Sequence, residues 1–168
     1  MGMNQPGQSN QQVEQAKQMW SNLTRGRQIA VAAAVVGLIV SFLPWYSASA
    51  SYLGQSVSSS ANGWASWGYL AILGFIVAAV VVLLPLFGRS VRGIIPSLPP
   101  TITDARLVMG AGGVALIGAL LYLLTTNKDI GNVPGVSAGP SIGLYIALVC
   151  GAAIAAGGYL MQTEPDLV

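Results

Sequence analysis

Charged residues are missing from one long stretch of this sequence. From position 28 to position 88 the chain runs for 61 residues without a single Asp, Glu, Lys or Arg. Over all 168 residues only 7% are charged, against roughly 25% in a soluble domain. A chain with so little charge cannot cover a soluble surface, so the sequence predicts an integral membrane protein.

Hydrophobic runs predict four transmembrane helices, at 28–46, 65–87, 104–126 and 140–162. Each run is close to the about 20 residues that a helix needs to cross the hydrocarbon core. The expected fold is therefore all-α, a four-transmembrane-helix bundle that forms a domain over 28–162. Similar polar lead-ins, Ser60-Ala61-Asn62-Gly63 and Ser137-Ala138-Gly139, precede the second and fourth runs and favour a duplicated helical hairpin.

The segments outside this domain are short. Residues 1–12 are rich in Gln, Asn and Gly, which predicts a disordered cytoplasmic tail. Across 13–27 apolar residues recur at helical spacing, so we expect a short amphipathic helix in the membrane interface, with Trp20 at headgroup depth. An extension of the first transmembrane helix is the alternative. Residues 163–168 are expected to form a cytoplasmic tail.

Basic residues predict which side of the membrane each connector occupies. Lys17, Arg25 and Arg27 precede the first run, and Arg89, Arg92 and Arg106 flank the second connector, whereas only Lys128 lies in an opposite connector. Because Lys and Arg near span ends stay cytoplasmic, both termini are expected inside. A rival topology treats the first run as a signal peptide cleaved after 48–50, but its polar leader is unusually long.

Several function classes lack the residues they need. The chain has no His and a single cysteine, Cys150, so we expect no metal site, no cofactor and no nucleophilic triad. Its net charge of +2 is too small to indicate nucleic-acid binding. We therefore do not expect an enzyme.

Small residues at four-residue spacing are the main feature within the apolar runs. Such stripes let helices approach closely in lipid. The candidate helix-packing residues are Ala33, Gly37, Ser41, Ala111, Ala115, Ala119, Gly143, Ala147, Gly151 and Ala155. Either all of them pack within one bundle, or one stripe is left to dock a partner or a second copy.

Aromatic residues gather around the first outer connector. Trp45 and Tyr46 close the first run, and Trp64 and Trp67 open the second. Together with Trp20 they are the candidate contacts for a partner or for lipid, although an aromatic belt at headgroup level is the simpler account of the outer ones. The Ser-rich connector between them alternates around Gly54-Gln55, which is compatible with a short hairpin over the outer mouth of the bundle.

The residues around this connector also carry a family resemblance. Phe42-Leu43-Pro44-Trp45-Tyr46-Ser47, followed by Asn62-Gly63-Trp64, Trp67-Gly68 and Leu70-Ala71, resembles small four-span membrane proteins of actinobacteria and related lineages. The resemblance covers mainly residues 40–75. It implies a multi-pass protein of the bacterial plasma membrane and carries no activity with it.

Two functions remain open at this point. The first is a non-catalytic accessory or scaffolding subunit of a larger membrane complex, whose partners are lipids and other membrane protein subunits. The second is a homo-oligomeric channel or transporter component for a small neutral solute. Ion pathways usually display an ionisable residue inside the membrane, and the apolar centres of the four runs have none.

Overall fold

The structure, a computed structural model, describes residues 6–21, 23–52, 55–126 and 136–164. The helices are α1 (Pro6–Ser21), α2 (Arg25–Val40), α3 (Gly68–Leu83), α4 (Val91–Ile94), α5 (Asp104–Thr126) and α6 (Ile142–Thr163). The strands are β1 (Pro44–Tyr52), β2 (Gln55–Asn62) and β3 (Val136–Pro140). A 3-10 turn, Leu84–Phe87, continues α3.

Three helices within the described residues are long and apolar enough to cross a membrane. They are Gly68–Phe87, Asp104–Thr126 and Ile142–Thr163, with 20, 23 and 22 residues. Their length and composition are those of a multi-pass membrane protein.

The prediction of an all-α bundle with four transmembrane helices is wrong. The first predicted helix, 28–46, is α2, which has only 16 residues and spans about 24 Å at 1.5 Å per residue, less than the ~30 Å hydrocarbon core. The apolar run continues past Val40, but the helix does not, because Pro44 begins a strand. Proline has no amide hydrogen and disfavours helical geometry in the residue before it.

The remaining departure from an all-α fold is a three-stranded antiparallel sheet in the order β2-β1-β3. The sequence indicated a hairpin here, and β1 and β2 do pair from Pro44↔Asn62 to Tyr52↔Gln55. Residues 53–54, which include the predicted turn residue Gly54, lie outside the described residues. The third strand was not predicted, and it pairs with β1 from Tyr46↔Pro140 to Ala50↔Val136. Helix α3 follows strand β2, and helix α6 follows strand β3 of the same sheet. The two halves of the chain are therefore not a duplicated helical hairpin.

Helices α2, α3, α5 and α6 form an antiparallel ring in the order α2-α6-α5-α3. Glycines mark the contacts: Gly74 of α3 lies against α5, and Gly112 of α5 lies against α6. Gly26 of α2 meets α6 at Gly157 and Met161. The ring has a sheet end, where β1 leaves α2, and an arginine end, where α2 and α5 begin and α6 stops.

The N-terminal segment differs from its predicted boundaries. Residues 6–12 were expected to be disordered, but α1 begins at Pro6, a residue suited to the first turn of a helix. The amphipathic helix expected over 13–27 ends at Ser21, and a new helix starts at Arg25. Trp20 is 46% exposed on α1. At the other end of the chain, α6 stops at Thr163, and residues 165–168 lie outside the described residues.

Candidate functional site

Trp45 holds the sheet onto the bundle. Its side chain is completely buried, its indole Nε1–H donates a hydrogen bond to the Val40 carbonyl at 3.0 Å, and its ring packs edge-on against Tyr122 with centroids 5.4 Å apart. Its own carbonyl accepts a hydrogen bond from the Ser141 amide at 2.9 Å. Trp45 was predicted to be a surface contact, but it packs inside the chain and is not available to a partner.

Glycines make room for this indole. A Cβ on Gly63 would lie 2.7 Å from the Trp45 ring, and one on Gly143 would lie 2.9 Å from it. The Gly63 amide donates to the Ser41 carbonyl at 3.1 Å, and Gly68 packs directly on the Gly63 carbonyl. The Pro-Trp, Asn-Gly-Trp and Trp-Gly segments on either side of the connector therefore meet near one buried side chain.

A second set of aromatic residues at the sheet end is exposed. Phe42 and Trp64 have ring centroids 5.5 Å apart, and Trp64 and Tyr69 have theirs 6.3 Å apart. We call these three residues the aromatic patch. Trp67 lies two positions before Tyr69 and is 47% exposed, whereas Tyr46 is half-buried.

The predicted helix-packing residues lie in contacts within this chain. Gly37 lies against the Phe75 ring, and Gly151 lies against Leu116. Eight of the ten are buried and two, Ala33 and Ala155, are intermediate. The buried ones are Gly37, Ser41, Ala111, Ala115, Ala119, Gly143, Ala147 and Gly151.

The closest helix contacts involve glycines that the stripe pattern missed. Gly112 packs on the Ala155 backbone, Gly158 on the Met109 backbone, and Gly118 on the Ala71 backbone. Gly112 and Gly118 lie one position from Ala111 and Ala119, so they flank the predicted stripe on α5. A search for one stripe per helix overlooks them because α5 packs against two neighbours, α3 and α6.

A cavity of about 670 Å³ lies at the arginine end. The start of α2, the segment 90–106 and the last turn of α6 form its walls. We call it the arginine cavity, since three arginines line it: Arg27, Arg92 and Arg106. Ser90, Thr101 and Thr103, which carry hydroxyl groups, also line it.

The two carboxylates of this cavity already have partners. Glu164 accepts hydrogen bonds from the Gly26 amide at 3.0 and 3.1 Å, so the last described residue caps the first turn of α2. Asp104 lies 3.9 Å from the Arg27 guanidinium, which is 12% exposed. Arg92 and Arg106 form no ion pair with any described carboxylate.

Backbone carbonyls hold these two arginines in place. Arg92 donates to the Pro100 carbonyl at 2.7 Å, and Arg106 donates to the Thr101 carbonyl at 2.7 Å. Both guanidinium groups are therefore fixed to neighbouring peptide units of one turn. Each has five N–H donors, and most of them remain available for another acceptor.

No family model matches this sequence, and no curated protein is significantly similar to it.

Proposed function

We propose that this chain is a non-catalytic accessory or scaffolding subunit of a larger membrane protein complex in the bacterial plasma membrane. The observation that carries the proposal is the exposed outer edge of β2. This strand lies at one side of the sheet, and its described residues from Gln55 to Ser60 are all exposed.

An open strand edge is a surface for binding another chain. The outward backbone groups of residues 55–61 form no hydrogen bond with any described residue beyond the pairing with β1. Unpaired N–H and C=O groups on an edge strand can pair with a strand of a partner. The aromatic patch begins directly after β2, at Trp64, and adds apolar surface to this edge.

The interior of the bundle favours a binding role over transport. Its centre is filled by large side chains without exposure, among them Phe75, Val82, Leu144 and Ile154. Apart from the aromatic Trp45 and Tyr122, Ser41 is the one polar residue that is buried within the described residues, and its hydroxyl donates to the Leu38 carbonyl at 2.6 Å. A solute path through one copy would need a row of free polar groups, so the packing argues against a neutral-solute path through a single copy.

We propose that the arginine end faces the cytoplasm and that the sheet lies on the outer side of the membrane. Support comes from Arg27, Arg92 and Arg106, which lie together at one end of the bundle, as expected for a cytoplasmic face. The start of α2 and the end of α6 meet at that end through Gly26 and Glu164, so both helix ends would lie on the cytoplasmic side, with α2 packed along α6 and α3 but without the length of the three membrane-length helices.

Purification from the native host in a mild detergent tests the proposal. Mass spectrometry should find other membrane proteins in stoichiometric amounts with the unaltered chain. Val57→Lys should reduce their recovery several-fold, because Val57 is 71% exposed on β2 and a charge on an edge strand opposes pairing. Ser97→Lys is the charge-matched control on an exposed residue at the opposite end.

Two results would contradict the subunit role. One is a pure homo-oligomer that makes liposomes permeable to a small solute. The other is equal recovery of the same partners with Val57→Lys and with Ser97→Lys, which would show that the β2 edge does not bind them.

A further inference from the structure

We propose that the arginine cavity binds the phosphate group of an anionic phospholipid headgroup. This inference does not depend on the proposed subunit role, because the cavity lies at the opposite end of the bundle from β2. It rests on the charge, the geometry and the depth of the cavity.

The lining of the arginine cavity carries a net positive charge. Three arginines and two carboxylates leave the lining with a net charge of +1. Asp104 is beside Arg27, and both Glu164 oxygens accept from the Gly26 amide. Neither Arg92 nor Arg106 is paired with a described carboxylate, so an anion would meet two guanidinium groups without having to displace a carboxylate.

The geometry of these groups suits a phosphate. Guanidinium is a planar fork that binds phosphate oxygens through two parallel hydrogen bonds. Both side chains are exposed, but each already donates to a backbone carbonyl, Arg92 to Pro100 and Arg106 to Thr101. These hydrogen bonds hold the guanidinium groups near one turn, which lowers the side-chain entropy lost on binding. Ser90 and Thr101 hydroxyls line the same cavity and are further donors to phosphate oxygens.

The position of the cavity relative to the membrane indicates a lipid as the source of that phosphate. α5 begins at Asp104 and α6 ends at Thr163, and residues at both helix ends line the cavity. The ends of membrane-length helices lie at the headgroup region, where basic pockets between helices bind anionic headgroups. Phospholipid phosphates are concentrated at that level, whereas a soluble phosphate has no apolar part to hold it there.

Native mass spectrometry of the full chain tests this assignment. The protein is released from detergent with added phosphatidylglycerol or phosphatidylcholine, and bound lipid is counted. We expect one phosphatidylglycerol to remain bound and phosphatidylcholine to be lost. In the variant Arg92→Gln with Arg106→Gln, phosphatidylglycerol affinity should fall at least about tenfold, since hydrogen bonds to a charged group are lost. The control, Arg25→Gln with Arg89→Gln, removes the same charge outside the cavity and should bind as the unaltered chain does.

Three outcomes would overturn the proposal. Equal retention of the two lipids by the unaltered chain would show no preference for the anionic headgroup, and this comparison holds even if the double variant does not fold. Equal loss of affinity in both double variants would assign the effect to total charge. Displacement of phosphatidylglycerol by inorganic phosphate at similar concentration would identify a site for the free ion.

Discussion

The environment of Trp45 makes it the residue whose loss should cost most at the sheet end. It is fully buried, donates to Val40 and packs on Tyr122. Trp45→Ala should lower the free energy of unfolding by about 3–5 kcal/mol, as large-to-small changes at buried aromatic sites do. Thermal unfolding in detergent, followed by circular dichroism, measures the effect.

Trp67→Ala is the control for this experiment, since the Trp67 side chain is 47% exposed. Surface substitutions usually change stability by no more than about 0.5 kcal/mol. If the two variants unfold at the same temperature, Trp45 does not anchor the sheet.

Glu164 is a second residue with a specific structural effect. Its carboxylate accepts from the Gly26 amide, while Thr24 at the N-cap position makes no side-chain hydrogen bond. Glu164→Ala should therefore destabilise the first turn of α2 by about 1 kcal/mol, the usual cost of losing an N-cap acceptor. Hydrogen exchange of the amides at 25–28 should become faster.

Glu14→Ala is the comparison for Glu164→Ala. Glu14 pairs only with Lys17, and both side chains are exposed, so its loss should leave exchange at 25–28 unchanged. Equal exchange in the two variants would show that Glu164 does not cap α2.

At the scale of elements, the contact between α5 and α6 depends on glycine. A Cβ on Gly112 would lie 2.9 Å from the Gly151 carbonyl oxygen, whereas one on Gly110 would meet nothing within 4 Å. Gly112→Ala should push the two helices apart and lower the unfolding temperature. Gly110→Ala should be neutral or stabilising, because alanine favours a helix over glycine by about 1 kcal/mol. A matched pair of melting curves checks this prediction, and a greater loss with Gly110→Ala would contradict it.

The sequence predicted those helices well that lie within one continuous apolar run. The helices α3, α5 and α6 lie within a few residues of their expected bounds, because long apolar runs decide helix length in a membrane. α2 was predicted too long because Phe42, Leu43 and Trp45 extend the apolar run beyond the helix. β3 was missed because five residues with Gly and Pro show no clear strand pattern, and pairing with β1 is a tertiary effect.

The two ends of the bundle were less predictable. Trp45 and Trp64 could not be distinguished in the sequence, since both are aromatic residues beside a connector. The pairing of β1 with β2 buries Trp45 and leaves Trp64 exposed. The arginine cavity unites residues from α2, the segment 90–106 and α6. The basic residues were visible in the sequence, but their convergence and the pairing of Glu164 with Gly26 were not.

At the scale of the whole molecule, the orientation can be tested by labelling. Ser58→Cys lies in β2 and Ser97→Cys lies near the arginine end, and both positions are exposed. In intact cells a membrane-impermeant maleimide should label Ser58→Cys and leave Ser97→Cys unlabelled until the membrane is opened. The native Cys150 is buried and should contribute little background. Reversed labelling would contradict the proposed orientation.

The contact between α2 and α6 has a consequence for biosynthesis. Gly26 and Glu164 are 138 positions apart, so the ribosome makes α2 well before its principal neighbour, α6. While translation continues, the face of α2 that will meet Gly157 has no partner from its own chain. Contacts between distant parts of a chain form slowly. The nascent protein therefore completes its ring only after α6 has been made, when its oldest bundle helix docks against its newest.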